Sequence, residues 1–107
     1  MVDEKIIAEA TATIVSRFKP NKIILFGSHA RGITDENSDI DLLVITQLHN
    51  GRHALMLEMI KALRNLPAPK DIVVITPEEF ERDRHIPGTV ALSADQEGKI
   101  LYERSEK

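Results

Sequence analysis

The chain contains no cysteine and no tryptophan, and aromatic residues make up only 4% of its 107 residues. The absence of cysteine excludes a disulfide framework and a thiolate metal site, and it predicts a cytoplasmic protein. No apolar run approaches the roughly 20 residues that cross a bilayer, and the N-terminus lacks the charged and then apolar layout of a signal peptide. The length predicts a single domain over residues 1–107. A net charge of −3 disfavours non-specific coating of nucleic acid.

The apolar spacing predicts helices that alternate with short strands. Helices are predicted over 3–18 and 51–66, and strands over 22–26, 38–46, 71–76 and 99–103. Thr76, Pro77 and Glu79 have the form of a capping box that begins a further helical region, and Pro87-Gly88 interrupts that region. The predicted fold class is therefore α/β (α+β), with a small mixed sheet and helices mainly on one face.

Two carboxylates occur two residues apart at the start of the second predicted strand, in the sequence Ser38-Asp39-Ile40-Asp41. Residues i and i+2 of a strand point to the same face, so Asp39 and Asp41 are predicted to project side by side. Like charges at that spacing repel each other unless a cation lies between them. Hard oxygen ligands with room for phosphate oxygens suit Mg²⁺, so the pair predicts a divalent metal site.

A turn rich in small residues, Gly27-Ser28-His29-Ala30-Arg31-Gly32, follows the first predicted strand. Backbone N–H groups and a hydroxyl at Gly27 and Ser28 are suited to cradling a phosphate at the start of a short helix. Arg31, one turn later, favours contact with a triphosphate or with a structural carboxylate. A strand-ending turn at Gly27 and a helix N-cap at Ser28 are the alternatives. With the Asp pair, the turn predicts chemistry on a nucleoside triphosphate.

The pattern G-S-x-x-R-G followed by S-D-I-D-L-L-V resembles the signature of the polymerase-β-like nucleotidyltransferase superfamily. The short chain and its ending, 97–103, are similar to the minimal nucleotidyltransferase branch. The resemblance implies a polymerase-β-like palm in which the Asp pair and a third carboxylate hold two Mg²⁺ ions and the triphosphate. A hydroxyl then attacks the α-phosphate and pyrophosphate leaves. Asp71, at the start of the third predicted strand, matches the third-carboxylate position, with Glu58, Glu78 and Glu79 as alternatives.

Proteins of this size in the minimal branch resemble antitoxins that are paired with HEPN-domain ribonuclease toxins. The resemblance implies that AMP passes from ATP to a tyrosine of a HEPN toxin within a hetero-oligomer, with no membrane and no stable nucleic-acid binding. The irregular segment 82–89 is predicted to be a contact loop. Two alternatives stay open: an antitoxin that neutralises its toxin by binding alone, and a minimal transferase that modifies a small molecule or a nucleic acid.

Overall fold

The computed structural model describes residues 4–32 and 39–105, apart from the side chains of Ser28 and His29. In chain order the described elements are α1 (Glu4–Phe18), β1 (Lys22–Phe26), α2 (Gly27–Arg31), β2 (Ile40–Ile45), α3 (Arg52–Ala62), β3 (Lys70–Ile75), α4 (Pro77–Asp83), α5 (Val90–Glu97) and β4 (Lys99–Glu103). β1 and β4 have the predicted bounds. The first helix was predicted to begin at Asp3 and the second strand at Ser38, and both of these residues lie outside the described residues. Within this part of the chain, no helix is long and apolar enough to cross a membrane.

The four strands form one mixed sheet in the order β3-β2-β1-β4. β1 is antiparallel to both β2 and β4, and β2 is parallel to β3. Five of the six residues of β2 are buried, as its continuous apolar run predicts for a strand covered on both faces. The mixed sheet predicted from the sequence is therefore confirmed, with β2 in an internal position.

Helices pack on both faces of this sheet. Leu42 lies in a core cluster with Ile14 of α1 and Met59 of α3, whereas its neighbour Leu43 lies in a second cluster with Phe80 of α4 and residues of α5. The two long helices share one face, and α4 and α5 cover the other. Helices therefore cover both faces of the sheet rather than mainly one. The short helices α4 and α5 bury too few residues for apolar spacing to assign them to a face.

The helix α3 ends earlier than its apolar spacing predicts. It stops at Ala62, with Leu63 as its C-cap, rather than continuing to Leu66. Leu63 is 1% exposed and Leu66 packs against the same core from the turn that follows. Because the turn keeps these leucines in the core, the helical spacing of apolar residues in the sequence continues after the backbone has stopped being helical.

A capping box begins α4, as predicted. The Glu79 backbone N–H donates to Thr76 Oγ1 at 3.1 Å, and the Thr76 N–H donates to Glu79 Oε1 at 2.9 Å. Arg52, at the start of α3, adds two bonds from Nη2 to the same carboxylate, at 2.8 and 2.7 Å. The Thr76 N–H, and then Arg52, hold the pKa of Glu79 below its usual value. Glu79 therefore ties the first turn of α3 to the first turn of α4.

We expect Glu79→Ala to lower the free energy of unfolding by about 1 kcal/mol at neutral pH, because a cap and an ion pair are lost. The depressed pKa means that this stabilisation is complete above pH 4.5, the ordinary value for Glu, and is lost as the pH falls through the lower folded-state value. Urea unfolding at pH 7 and pH 3 measures both effects. Glu78→Ala, in the same helical turn, is the matched control, and an equal loss in both variants would contradict the assignment.

Candidate active site

The junction of β1 and α2 places backbone directly against a carboxylate. Gly27 follows β1 with a φ of +76°, in the left-handed region that favours glycine. A Cβ atom at this position would lie 2.2 Å from Oδ2 and 3.1 Å from Cγ of Asp41. Phe26, the preceding residue, is the antiparallel partner of Asp41. The close approach of Gly27 to Asp41 therefore excludes any side chain at position 27 unless the carboxylate moves.

Asp41 and Asp71 are partners in the parallel pairing of β2 with β3. Paired residues on neighbouring strands point to the same face, and the strands lie roughly 4.8 Å apart. Asp41 is half-buried and Asp71 is exposed. The structure therefore brings these two predicted site residues to one face and one end of the sheet.

Asp39 is exposed and lies immediately before β2, two residues from Asp41. In the residues that the structure describes, no three His, Cys, Asp or Glu side chains are grouped closely enough to hold a metal ion. A preformed cage of that kind is not what a nucleotide-borne Mg²⁺ needs, because Mg²⁺ is usually held by one or two carboxylates together with phosphate oxygens. The oxygen donors of Asp39 and Asp41 fit that mode of binding.

The alternative third carboxylates lie far from Asp41. Glu78 and Glu79 begin α4, after the far end of β3 from Asp71, and Glu79 is engaged by Thr76 and Arg52. Glu58 lines a cavity of about 680 Å³ near Thr46, beyond the opposite end of β2. Of the acidic residues considered from the sequence for this role, Asp71 is the one that shares a face and a strand end with Asp41.

Arg31 lies at the end of α2 and reaches across to α5. Its Nη1 atom is 3.4 Å from Oε1 of Glu97, and the two side chains are 46% and 52% exposed. An ion pair this exposed contributes little stability. The structural carboxylate contact that the sequence allowed for is thus present, while triphosphate contact by Arg31 stays a prediction. The hydroxyl of Ser28 falls outside the described side chains.

Two features of this region were missed from the sequence. The space that Gly27 leaves for Asp41 depends on the register of β1 with β2, for which the sequence carries no signal. The contact of Arg31 with Glu97 joins residues 66 positions apart.

Comparison with known proteins gives a family match over most of the chain. The model of the nucleotidyltransferase domain family matches residues 7–104. A Methanocaldococcus jannaschii protein, provisionally named a protein adenylyltransferase, is 47% identical over 47 residues. That match covers 42% of this chain and 47% of the relative, so it spans about half the length of that protein.

Solved structures show the same fold. A Sulfolobus solfataricus protein, provisionally described as a nucleotidyltransferase, superposes with a TM-score of 0.64 at 20% identity, covering 94% of this chain and 79% of that one. A toxin–antitoxin structure with AMP-PNP gives a TM-score of 0.58 at 25% identity, covering 96% of this chain and 75% of the matched chain. The expected polymerase-β-like nucleotidyltransferase fold is therefore confirmed.

Proposed function

Because the chain belongs to the nucleotidyltransferase domain family, we propose that it is an antitoxin that transfers AMP from ATP to a hydroxyl group of a HEPN-type ribonuclease toxin. The observation that carries the proposal is the register of β2 with β3, which puts Asp41 and Asp71 on one face beside the Gly27 turn. A triphosphate site and an acceptor site can then lie next to each other.

The proposed roles follow from the chemistry of each group. Asp39 and Asp41 would hold Mg²⁺ together with the triphosphate, and the backbone at Gly27 and Ser28 would bind phosphate oxygens. Asp71 would serve the acceptor side, where it would help to hold a second Mg²⁺ and would take the proton of the acceptor hydroxyl. Bound Mg²⁺ neutralises phosphate charge and lowers the pKa of the acceptor hydroxyl. The acceptor oxygen forms a bond to the α-phosphorus, and the bond to pyrophosphate breaks. Positioning and electrostatics thus supply the catalysis.

Two of the relatives support adenine nucleotide and protein as substrates. One is provisionally named a protein adenylyltransferase, and another is a toxin–antitoxin complex with AMP-PNP, an analogue of ATP. Transfer to a tyrosine of the toxin is the acceptor chemistry that the resemblance to minimal nucleotidyltransferases implies. A partner protein would also supply acceptor-binding surface beyond the 107 residues of this chain.

Mg²⁺ and ATP together are expected to stabilise the folded protein, because a ligand that binds only the native state raises its stability by mass action. At a hundredfold excess over Kd the gain is about 2.7 kcal/mol, or about 10 °C in Tm for a domain of this size. Differential scanning fluorimetry with ATP alone, Mg²⁺ alone and both measures it. An analogue with an uncleavable α–β bridge should act like ATP, and Asp39→Asn/Asp41→Asn is the matched control. Absence of a shift at saturating concentrations would contradict a nucleotide site.

Covalent transfer is tested on the toxin itself. We expect a catalytic amount of this protein with ATP and Mg²⁺ to leave a HEPN toxin inactive after the two are separated, because a phosphodiester bond outlasts the contact. Intact mass should show one or more added AMP groups. Inhibition that needs stoichiometric protein, ignores ATP and survives Asp39→Asn/Asp41→Asn would instead identify an antitoxin that acts by binding. Recovery of activity with unchanged toxin mass would overturn the proposed reaction.

A further inference from the structure

A concave region lies at the end of the sheet away from Asp41. It comprises two adjoining cavities of about 680 and about 500 Å³, which share Arg17, Phe18 and Glu58 in their lining. We call this region the α1–α3 groove, since the end of α1, the segment 46–51 and one side of α3 form its walls. Thr46 lies in its wall, five residues and roughly 17 Å of strand from Asp41.

The α1–α3 groove concentrates positive charge in an acidic chain. Its described lining contains five of the fourteen Lys and Arg residues of the chain, but one of its seventeen Asp and Glu residues. The basic residues are Arg17, Lys19, Lys61, Arg64 and Arg104. Within residues 4–32 and 39–105, the structure shows no salt bridge to any of the first four. The rest of the chain is correspondingly acidic.

Helix stability explains part of this charge. Arg17 and Lys61 occupy the last turns of α1 and α3, where a cation interacts favourably with the helix dipole. Arg104 donates from Nη2 to the Lys19 carbonyl, and so closes the end of α1. These roles do not account for the positive charges of Arg64 and of the Lys19 ammonium group. They also do not explain why the ends of two helices face the same groove.

Exposed apolar side chains continue the groove along α3. Leu57 is 45% exposed and Ile60, three residues later on the same helix, is 42% exposed. Residues three and four apart are neighbours on a helix. Leu57 therefore lies between Ala54 and Lys61, both of which line the groove. The result is an apolar strip bordered by basic side chains.

We infer that the α1–α3 groove is a docking surface for an acidic, amphipathic helical segment of a partner protein. Apolar residues beside Arg and Lys complement such a helix, whose apolar face would cover Leu57 and Ile60 while its carboxylates meet the basic residues. Single-stranded nucleic acid is disfavoured because it binds through several exposed aromatic platforms, and the described lining offers the half-buried Phe18 and the imidazole of His49 alone. Docking at this distance from Asp41 goes beyond the transfer reaction and does not depend on it.

The probe is a fluorescein-labelled designed helical peptide, with leucine at i, i+3, i+4 and i+7 and glutamate on its flanks. Fluorescence anisotropy, without nucleotide or metal, should show binding that weakens as salt is added. We expect Lys61→Glu/Arg64→Glu to weaken binding at least about tenfold, about 1.4 kcal/mol, and Lys61→Ala/Arg64→Ala to weaken it less. Lys5→Glu/Lys99→Glu, with the same change in net charge outside the groove, should stay within about twofold of the unmodified protein.

Each other outcome overturns the inference. No binding of the peptide at low salt excludes the surface, and equal losses in the two Glu variants reduce the effect to net charge. Tighter binding of an oligouridylate than of the peptide, with the same dependence on Lys61 and Arg64, would reassign the groove to nucleic acid. Thermal unfolding of each variant verifies that it is folded. The assay can be repeated on Asp41→Asn, so its result is distinguishable from failure of the proposed transfer.

Discussion

Replacing Asp41 with asparagine is expected to abolish AMP transfer while the fold stays intact. An amide lacks the charge that holds Mg²⁺ against a triphosphate, so we expect the rate to fall at least about a thousandfold, or about 4 kcal/mol in the activation barrier. Stability should not fall, because removing one negative charge beside Asp39 and Asp71 relieves repulsion in the protein without metal. Incorporation of labelled AMP into the toxin and urea unfolding measure the two effects.

Asp71→Asn is the companion variant that separates the two carboxylates. If Asp71 serves the acceptor side, this variant should keep the Mg²⁺–ATP stabilisation that Asp41→Asn loses, yet lose most of the transfer rate. A rate equal to that of the unmodified protein would remove Asp71 from the proposed mechanism. Glu78 and Glu79 would not replace it on geometric grounds, since both follow the opposite end of β3.

Gly27→Ala is expected to disturb the site through a single added carbon atom. The new Cβ would lie 2.2 Å from Asp41 Oδ2, so the carboxylate or the turn must move. The φ of +76° adds about 1–2 kcal/mol of backbone strain for a residue with a side chain. We expect a loss of stability beyond that strain and a fall in transfer rate of about a hundredfold, because misplacing a catalytic group by about 1 Å has effects of that size.

Gly88→Ala is the matched control, because Gly88 also has a positive φ, +88°, and no described atom lies within 4 Å of the Cβ it would carry. It should show the backbone strain alone, and any loss of rate should be smaller than in Gly27→Ala, because segment 82–89 is a predicted partner contact rather than part of the candidate active site. Thermal unfolding and AMP incorporation, measured on both variants, separate strain from displacement of the carboxylate. Equal stability and equal rates in the two variants would mean that Asp41 does not depend on the space at Gly27.

Local signals in the sequence were sufficient for most of the elements. Thr76, Pro77 and Glu79 predicted the start of α4 because a capping box is complete within four residues. Gly98 lies at the boundary between α5 and β4, where a Cβ would lie 2.5 Å from the Ala94 carbonyl oxygen. The predicted end of α3 at Leu66 was wrong, because apolar spacing reports which residues are buried and not whether the backbone is helical.

The candidate site was predicted only in part, since its geometry depends on contacts between distant segments. Asp39 and Asp41 could be paired because strand alternation is a local rule. The alignment of Asp41 with Asp71 is set by strand register across 30 residues, and no local pattern encodes it. The approach of Gly27 to Asp41 has the same origin. Likewise, the packing of α4 and α5 over the second face of the sheet depends on tertiary contacts of residues such as Phe80.

The internal position of β2 affects how firmly each carboxylate is held. Leu42, Leu43 and Val44 are 0% exposed, and amide protons in such a strand exchange with solvent only when a large part of the fold opens. We therefore expect Asp41 to be attached to a segment that opens late. Asp71 lies on β3, which has a single neighbour in the described sheet. Slower hydrogen exchange at Leu42 than at Ile72 would mean that the triphosphate side is rigidly fixed, while the acceptor side can adjust to an incoming protein.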